Sequence, residues 1–181
     1  MMEDLSLHVL DIADNAVAAG ATRIGIIINE NEGRNLVTLR VIDNGSGMTP
    51  KVLATALDPF FTTKPKKTGL GLALLEQAAK QCGGFVAVTS APGKGTRVFA
   101  RFPCRHIDRP PLTNMKGTIT ALVFGHPEID FYYCHRRNGR VFRFASGPLI
   151  QESDSPDGGI SALIGPVGRI LETGLGMLGR T

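Results

Sequence analysis

An apolar run at residues 36–42 ends in Asp43-Asn44-Gly45-Ser46-Gly47-Met48, and this turn constrains the chain more than any other stretch. A run of that character predicts a half- or fully buried strand. Asp43 is then delivered to the rim of a core, and the chain leaves through a turn hinged on Gly45 and Gly47. Glycine lets backbone approach a ligand with no Cβ in the way. Asn-Gly and Ser-Gly are also ordinary turn formers, so the six residues alone fit a turn that binds nothing. Their neighbours decide between the two.

Upstream, residues 4–19 predict a helix ending at Gly20. Leu5, Val9, Ile12, Ala13, Ala16 and Val17 recur at three- and four-residue steps as a core-facing stripe. His8, Asp11, Asn15 and Ala18 follow another side, so Asp11 and Asn15 stand one turn apart and point the same way. A solvated polar face would look the same, and His8 fits either solvent or the edge of a pocket. An isoleucine-rich strand at 22–30 and a turn at 31–34 lead into the strand at 36–42. Residues 49–57 predict a short helix with Pro50 in its first turn.

Residues 58–68 mix prolines, Phe60-Phe61, threonines and Lys64, Lys66 and Lys67. That is poor material for helix or strand and predicts a mobile loop whose cations and hydroxyls can close over an anion. Gly69-x-Gly71 then opens a helix over 70–82, whose free N–H groups can face phosphates; an ordinary loop and helix start would share this pattern. Leu74 occupies the third small position of a dinucleotide fingerprint, and the GxxxxGK[ST] spacing is absent. Lys94-Gly95-Thr96 is a turn between predicted strands at 85–90 and 96–102.

With 181 residues, 43% hydrophobic and 20% charged, the chain is globular and supports one domain, or one with a small appendage. No run of eighteen apolar residues predicts a membrane span, and the start shows no secretory signal pattern. Cys82, Cys104 and Cys134 lie far apart without CxxC spacing. That pattern suits a reducing cytoplasm and gives neither a disulfide framework nor a zinc site. The net charge of +4 is spread evenly along the chain, which argues against a dedicated nucleic-acid surface.

Taken in order, these blocks resemble the ATP-binding domain of the GHKL superfamily: histidine kinases, DNA gyrase B, heat-shock chaperones, MutL-type repair proteins and anti-sigma-factor kinases. Asp11-Ile12-Ala13-Asp14-Asn15, continuing to Ala19-Gly20-Ala21, resembles the N-box. Asp43-Asn44-Gly45-Ser46-Gly47-Met48 resembles the first glycine box. Asp58-Pro59-Phe60-Phe61-Thr62-Thr63-Lys64 is similar to the kinase F-box, and Thr68-Gly69-Leu70-Gly71-Leu72 to the second glycine box. Gly83-Gly84, Ser90 to Thr96 and Phe102-Pro103 complete a kinase-like end.

The resemblance implies an α+β fold, a two-layer α/β sandwich of the Bergerat type with a mixed sheet, over residues 1–104. It implies ATP and Mg²⁺ as cofactors. Asp43 would accept the adenine amino proton, with Gly45, Gly47, Met48 and Thr96 shaping the base pocket. Asn15 would hold Mg²⁺ through its side-chain oxygen. Thr63, Lys64, Lys67 and Thr68, with Gly69, Leu70, Gly71 and Leu72, would meet the phosphates. Asp11 stands where hydrolysing members carry a glutamate general base and is one methylene shorter. Ala18 replaces a residue that is often basic in kinases and aspartate in MutL-like proteins. No histidine sits in a His-Glu/Asp-x-Arg-x-Pro phosphoacceptor motif, and with the N-box so near the start no dimerisation helix pair is expected. Any phosphoryl acceptor is then expected on another protein.

Downstream, residues 105–114 predict a linker and 115–181 a small α+β extension. Residues 115–125 alternate like a strand, and 130–136 with 140–145 flank Asn138-Gly139 as a hairpin. Tyr132, Tyr133, His135, Arg136, Arg137, Arg140 and Arg143 suggest a nucleic-acid platform or, more simply, a hairpin with one polar face. Residues 150–159 are polar and loop-like. Apolar positions from Ile160 to Leu178 keep helical steps, weakened by Gly165, Gly168, Gly174 and Gly176. The tail is expected to dock a partner or cover the ATP-binding part. The chain is read as a cytoplasmic, histidine-kinase-like signalling protein acting on an unidentified protein partner, with no membrane or nucleic-acid partner and a homodimer left open. A water-activating ATPase using Asp11 and a nucleotide-gated module without turnover are the alternatives.

Overall fold

The computed structural model describes residues 4–58, 71–152 and 163–179. Helix α1 (Leu5–Ala18) starts at Asp4, whose carboxylate accepts the Ser6 N–H at 2.8 Å, an N-cap worth about 1 kcal/mol. The second Asp4 oxygen accepts from the Thr113 backbone and hydroxyl, and Leu5 N–H bonds Pro111 O at 2.8 Å. The start of α1 is therefore tied to residues more than a hundred positions later.

Strands β1 (Arg23–Asn31) and β2 (Leu36–Asp43) pair antiparallel, followed by α2 (Pro50–Ala54), which is shorter than expected, and α3 (Gly71–Gln81). Strands β3 (Phe85–Ser90) and β4 (Thr96–Phe102) form the next hairpin. Then come α4 (Met115–Gly125), β5 (Asp130–Arg137), β6 (Arg140–Ala145), α5 (Gly147–Glu152) and α6 (Ile164–Met177). The strands form one mixed sheet in the order β3-β4-β2-β1-β5-β6, with β1 and β5 parallel and every other pair antiparallel. This is the expected α+β architecture.

Burial alternates along the strands. Ile24, Ile26 and Ile28 of β1, Val37, Leu39 and Val41 of β2, Val98, Ala100 and Phe102 of β4, and Phe131 and Tyr133 of β5 are all buried. They share one face, beneath a layer in which α1 touches α3 and α4, and α4 touches α6. Leu5, Val9, Leu75, Ile119, Leu122, Val167 and Leu171 close the same core from the helix side. Each such large side chain contributes about 1.5–3 kcal/mol of burial.

Residues 115–125 are a helix, not the expected strand. Thr118, Ile119, Thr120 and Val123 favour a strand by local preference. The buried set Met115, Thr118, Ile119, Leu122 and Val123 has helical spacing, however, and it packs against α1 and α6. Burial across a helix face outweighs β-propensity here. The Asn114 carboxamide caps the first turn through the Gly117 N–H. At the far hairpin the Asn138-Gly139 expectation holds: both residues have positive φ, 47° and 89°. The Asn138 side chain also accepts from Glu32 N–H at 3.0 Å, fastening the hairpin to β1. Helix α6 forms despite its glycines; Gly174 lies against the Phe142 ring so closely that a Cβ would sit 2.0 Å from it. Of the stretch expected as a loop at 150–159, residues 150–152 are helical and the rest lie outside the described residues.

Candidate functional site

Strand β2 carries Asp43 to its C-terminal end, on the helix-covered side of the sheet. There Asp43 Oδ1 accepts two backbone N–H groups, from Gly45 at 2.9 Å and from Thr96 at 3.1 Å. Two amides on one oxygen fix the carboxylate plane and leave Oδ2 as the oxygen able to meet a ligand. A charge-assisted bond of this kind is stronger than a neutral one.

The turn is built to bring backbone against backbone. A Cβ on Gly45 would lie 2.9 Å from Ala19 O, and one on Gly47, at φ +67°, would lie 2.0 Å from Ala91 O. Ser46 N–H bonds Ala19 O at 2.8 Å, and Gly93 N–H bonds Ser46 O at 2.7 Å. The Asp43 turn is thus clamped between the end of α1 and the β3–β4 turn. Asn44 reaches the other way, accepting from the Thr22 and Arg23 N–H groups at 2.9 and 2.8 Å.

Ser90 and Gly95 complete this unit; both fall in the kinase-like end of the sequence, which gives neither a role of its own. Ser90 Oγ accepts from Met48 N–H at 2.8 Å and donates to Gly95 O at 2.9 Å. The Thr96 hydroxyl, 3.0 Å away, is then left to donate to Ser90. A small hydroxyl at the end of β3, facing Thr96 in register, was the available signal. Asp43, Gly45, Met48 and Thr96 therefore belong to one hydrogen-bonded unit, with Gly47 packed against the Ala91 backbone beside it.

The second cluster lies along α1. Gly71, buried at the start of α3, faces Asp11: a Cβ there would lie 2.8 Å from Asp11 Cβ and 3.0 Å from Oδ2. The carboxylate of Asp11 and the free amides of the α3 N-terminus are neighbours for that reason. Asn15, one turn on from Asp11, is half-buried, and Leu72 packs partly against the core. His8, on the same stripe by spacing, is only 2% exposed and so is not solvated. Thr63, Lys64, Lys66, Lys67, Thr68, Gly69 and Leu70 lie outside the described residues.

These residues fit a nucleotide with a divalent ion. The glycines at 45, 47 and 71 leave space at positions where a Cβ would collide, and Asp43 is held as an oriented acceptor. Asn15 offers one neutral oxygen, suited to an ion whose remaining ligands are phosphate and water. Among the described residues no group of three His, Cys, Asp or Glu could hold a metal ion without such help. No described helix is long and apolar enough to cross a membrane.

Residues 3–106 match the family model described as histidine kinase-, DNA gyrase B-, and HSP90-like ATPase. The chain is 39% identical over 87 residues to the sensor histidine kinase ZraS of Klebsiella oxytoca, covering 48% of this chain and 19% of that protein. It is 35% identical over 102 residues to sporulation kinase A of Bacillus subtilis (strain 168), covering 56% and 16%. The chain thus spans at most about a fifth of the length of these relatives. A crystal structure of the N-terminal domain of a DNA repair protein superposes with a TM-score of 0.54 at 17% identity, over 77% of this chain and 51% of that one. At that identity the likeness is one of fold. Its reach exceeds the share that residues 3–106 supply, so it takes in elements downstream of β4.

Proposed function

The chain belongs to the histidine kinase-, DNA gyrase B-, and HSP90-like ATPase family, and on that premise we propose that it binds ATP with Mg²⁺ and uses them in histidine-kinase-type signalling on a protein partner. The observation that carries this reading is the Asp43 carboxylate, held by the Gly45 and Thr96 amides with one oxygen to spare. Asp43 accepts from the adenine amino group, and Gly45, Gly47, Met48 and Thr96 shape the base site. Asn15 ligates Mg²⁺. Gly69, Leu70, Gly71 and Leu72, with Thr63, Lys64, Lys67 and Thr68, hold the phosphates. ATP and Mg²⁺ supply the phosphoryl group and its charge neutralisation; the chain supplies position and positive charge. Residues 1–104 are the nucleotide-binding part, joined through 105–114 to a C-terminal part at 115–181, in a cytoplasmic protein.

One observation favours a second reading, in which Asp11 activates water for hydrolysis. Gly71 abuts Asp11, so a carboxylate stands beside the amides assigned to phosphate. One experiment separates the two: purified protein, γ-labelled ATP and Mg²⁺, with bound nucleotide, free phosphate and labelled protein all measured. Label passing to a co-purified protein supports the kinase. Steady phosphate release abolished by Asp11→Asn supports the ATPase. ATP affinity unchanged by Asp43→Ala would overturn both.

A further inference from the structure

The face of the sheet turned away from the helices gathers cations from both halves of the chain. Strand register aligns Arg101, Thr38, Asn29 and Arg136 in one row, Phe99, Arg40, Ile27, Cys134 and Arg143 in the next, and Arg97, Ile42, Gly25 and Tyr132 in a third. Arg40, Arg97, Arg101, Arg136 and Arg143 are all exposed. Among the described residues none of the five forms an ion pair, and no Asp or Glu stands in any of the three rows. Net charge is even along the sequence, but the fold segregates it. The basic and aromatic stretch of β5 and β6 is divided as well. Tyr133 and His135 turn into the core, while Tyr132, Arg136 and Arg143 face outward.

Aromatic rings interleave with these cations. Phe85 is 45% exposed and Tyr132 40%; Phe85 and Phe99 have ring centroids 5.7 Å apart. The Arg40 guanidinium already lies over the Phe99 ring, 5.4 Å from its centroid, so the face supports flat stacking. From β4 to β6 the arginines span about 19 Å at the usual strand spacing. We propose that this open sheet face docks single-stranded nucleic acid, with arginines on phosphates and Phe85, Phe99 and Tyr132 stacking on bases. An acidic protein would satisfy the charge. Protein interfaces, though, centre on a contiguous apolar core; here the apolar positions between Tyr132 and the Phe85–Phe99 pair, Ile42, Gly25 and Ile27, are half-buried within the sheet, and the exposed Arg40 interrupts them. Every cation in the three rows is arginine, the side chain that both pairs with phosphate and stacks.

The test is fluorescence anisotropy of the whole chain with a labelled oligothymidylate of about 15 nucleotides, titrated at several salt concentrations. Binding is expected, with log affinity falling linearly against log salt. Arg97→Ala/Arg101→Ala/Arg143→Ala should weaken it at least about tenfold and flatten the slope by about 0.7 for each phosphate no longer neutralised. Tyr132→Ala should weaken it about tenfold and leave the slope unchanged. The three arginine-to-lysine changes should keep the slope, and Lys80→Ala, remote from this face, should change nothing. Far-UV circular dichroism and thermal unfolding check that each variant is folded. No binding at low salt would overturn the proposal. So would equal affinity for a duplex of the same length, or equal affinity for polyglutamate lost in the same variants, which would assign the face to an acidic protein.

Discussion

His135 Nε2 lies 2.8 Å from Glu30 Oε1, a bond between β5 and β1 made almost wholly out of water, with the two residues 6% and 4% exposed. The Tyr133 hydroxyl lies 2.9 Å from the other ring nitrogen. Burial by itself would raise the Glu30 carboxyl; the His135 hydrogen bond and the charges of His135, Arg137 and Arg109 outweigh it and hold the group below its ordinary value. Burial, then the Glu30 charge, pushes the Tyr133 hydroxyl up.

A depressed carboxyl stabilises the fold only while ionised. Its contribution is complete above the ordinary value of 4.5 and is lost as pH falls from there through the lower value of the folded state. Urea unfolding midpoints should therefore decline with acid below that point, and Glu30→Gln should remove this part of the decline. Glu30→Ala at neutral pH should cost about 1–3 kcal/mol, because a His135 ring nitrogen is left buried without its partner.

Asp43 holds its own turn and is assigned to hold adenine, and two substitutions separate these tasks. Asp43→Asn keeps an Oδ1 that can accept from Gly45 and Thr96 but aims an N–H₂ group at an amino group. Isothermal titration with ATP should show affinity lost in both Asp43→Asn and Asp43→Ala. Only the alanine variant should also lose about 1–3 kcal/mol of stability, from two unpaired amides.

At the start of α3, Gly71→Ala sets a methyl group 2.8 Å from Asp11 Cβ. That atom is fixed to the α1 backbone, so α1 or α3 must shift. ATP affinity should fall at least about tenfold, since misplacement of about 1 Å has effects of that size or more. Asp11→Gly in the same chain should restore part of it, as read by titration.

Gly174→Ala drives a methyl group into the Phe142 ring. Overpacking of this kind costs about 1–3 kcal/mol. Phe142→Ala should be harmful alone yet relieve Gly174→Ala, so a double-mutant cycle by denaturant unfolding should give a favourable coupling between them.

Much of this fold is legible in the sequence because its signals are local. The stripe from Leu5 to Val17 and the isoleucines of β1 carry their own periods, and Asn138-Gly139 demands a backbone that few other pairs adopt. Helix α4 is not legible, because Thr118, Ile119, Thr120 and Val123 speak for a strand and only packing against α1 and α6 decides otherwise. Within the candidate site, Asp43 and its glycines are marked by the turn itself. Ser90 is not, since it accepts from Met48, 42 positions away, and neither is Gly95, whose carbonyl joins the unit only through the Ser90 hydroxyl. The arginine face is hidden for a similar reason: it exists only once β1 accepts β5 beside it.

That parallel pairing of β1 with β5 bears on how the chain comes into being. β1 lies between β2, its immediate successor, and a strand that begins at Asp130. During synthesis the isoleucine-rich flank of β1 waits, with backbone groups unmatched, until about a hundred further residues have emerged. Closing so distant a contact is slow, and an unmatched apolar strand invites another chain. A fragment ending at residue 104 would make that interval permanent and should self-associate into larger species than the whole chain forms, as light scattering would register.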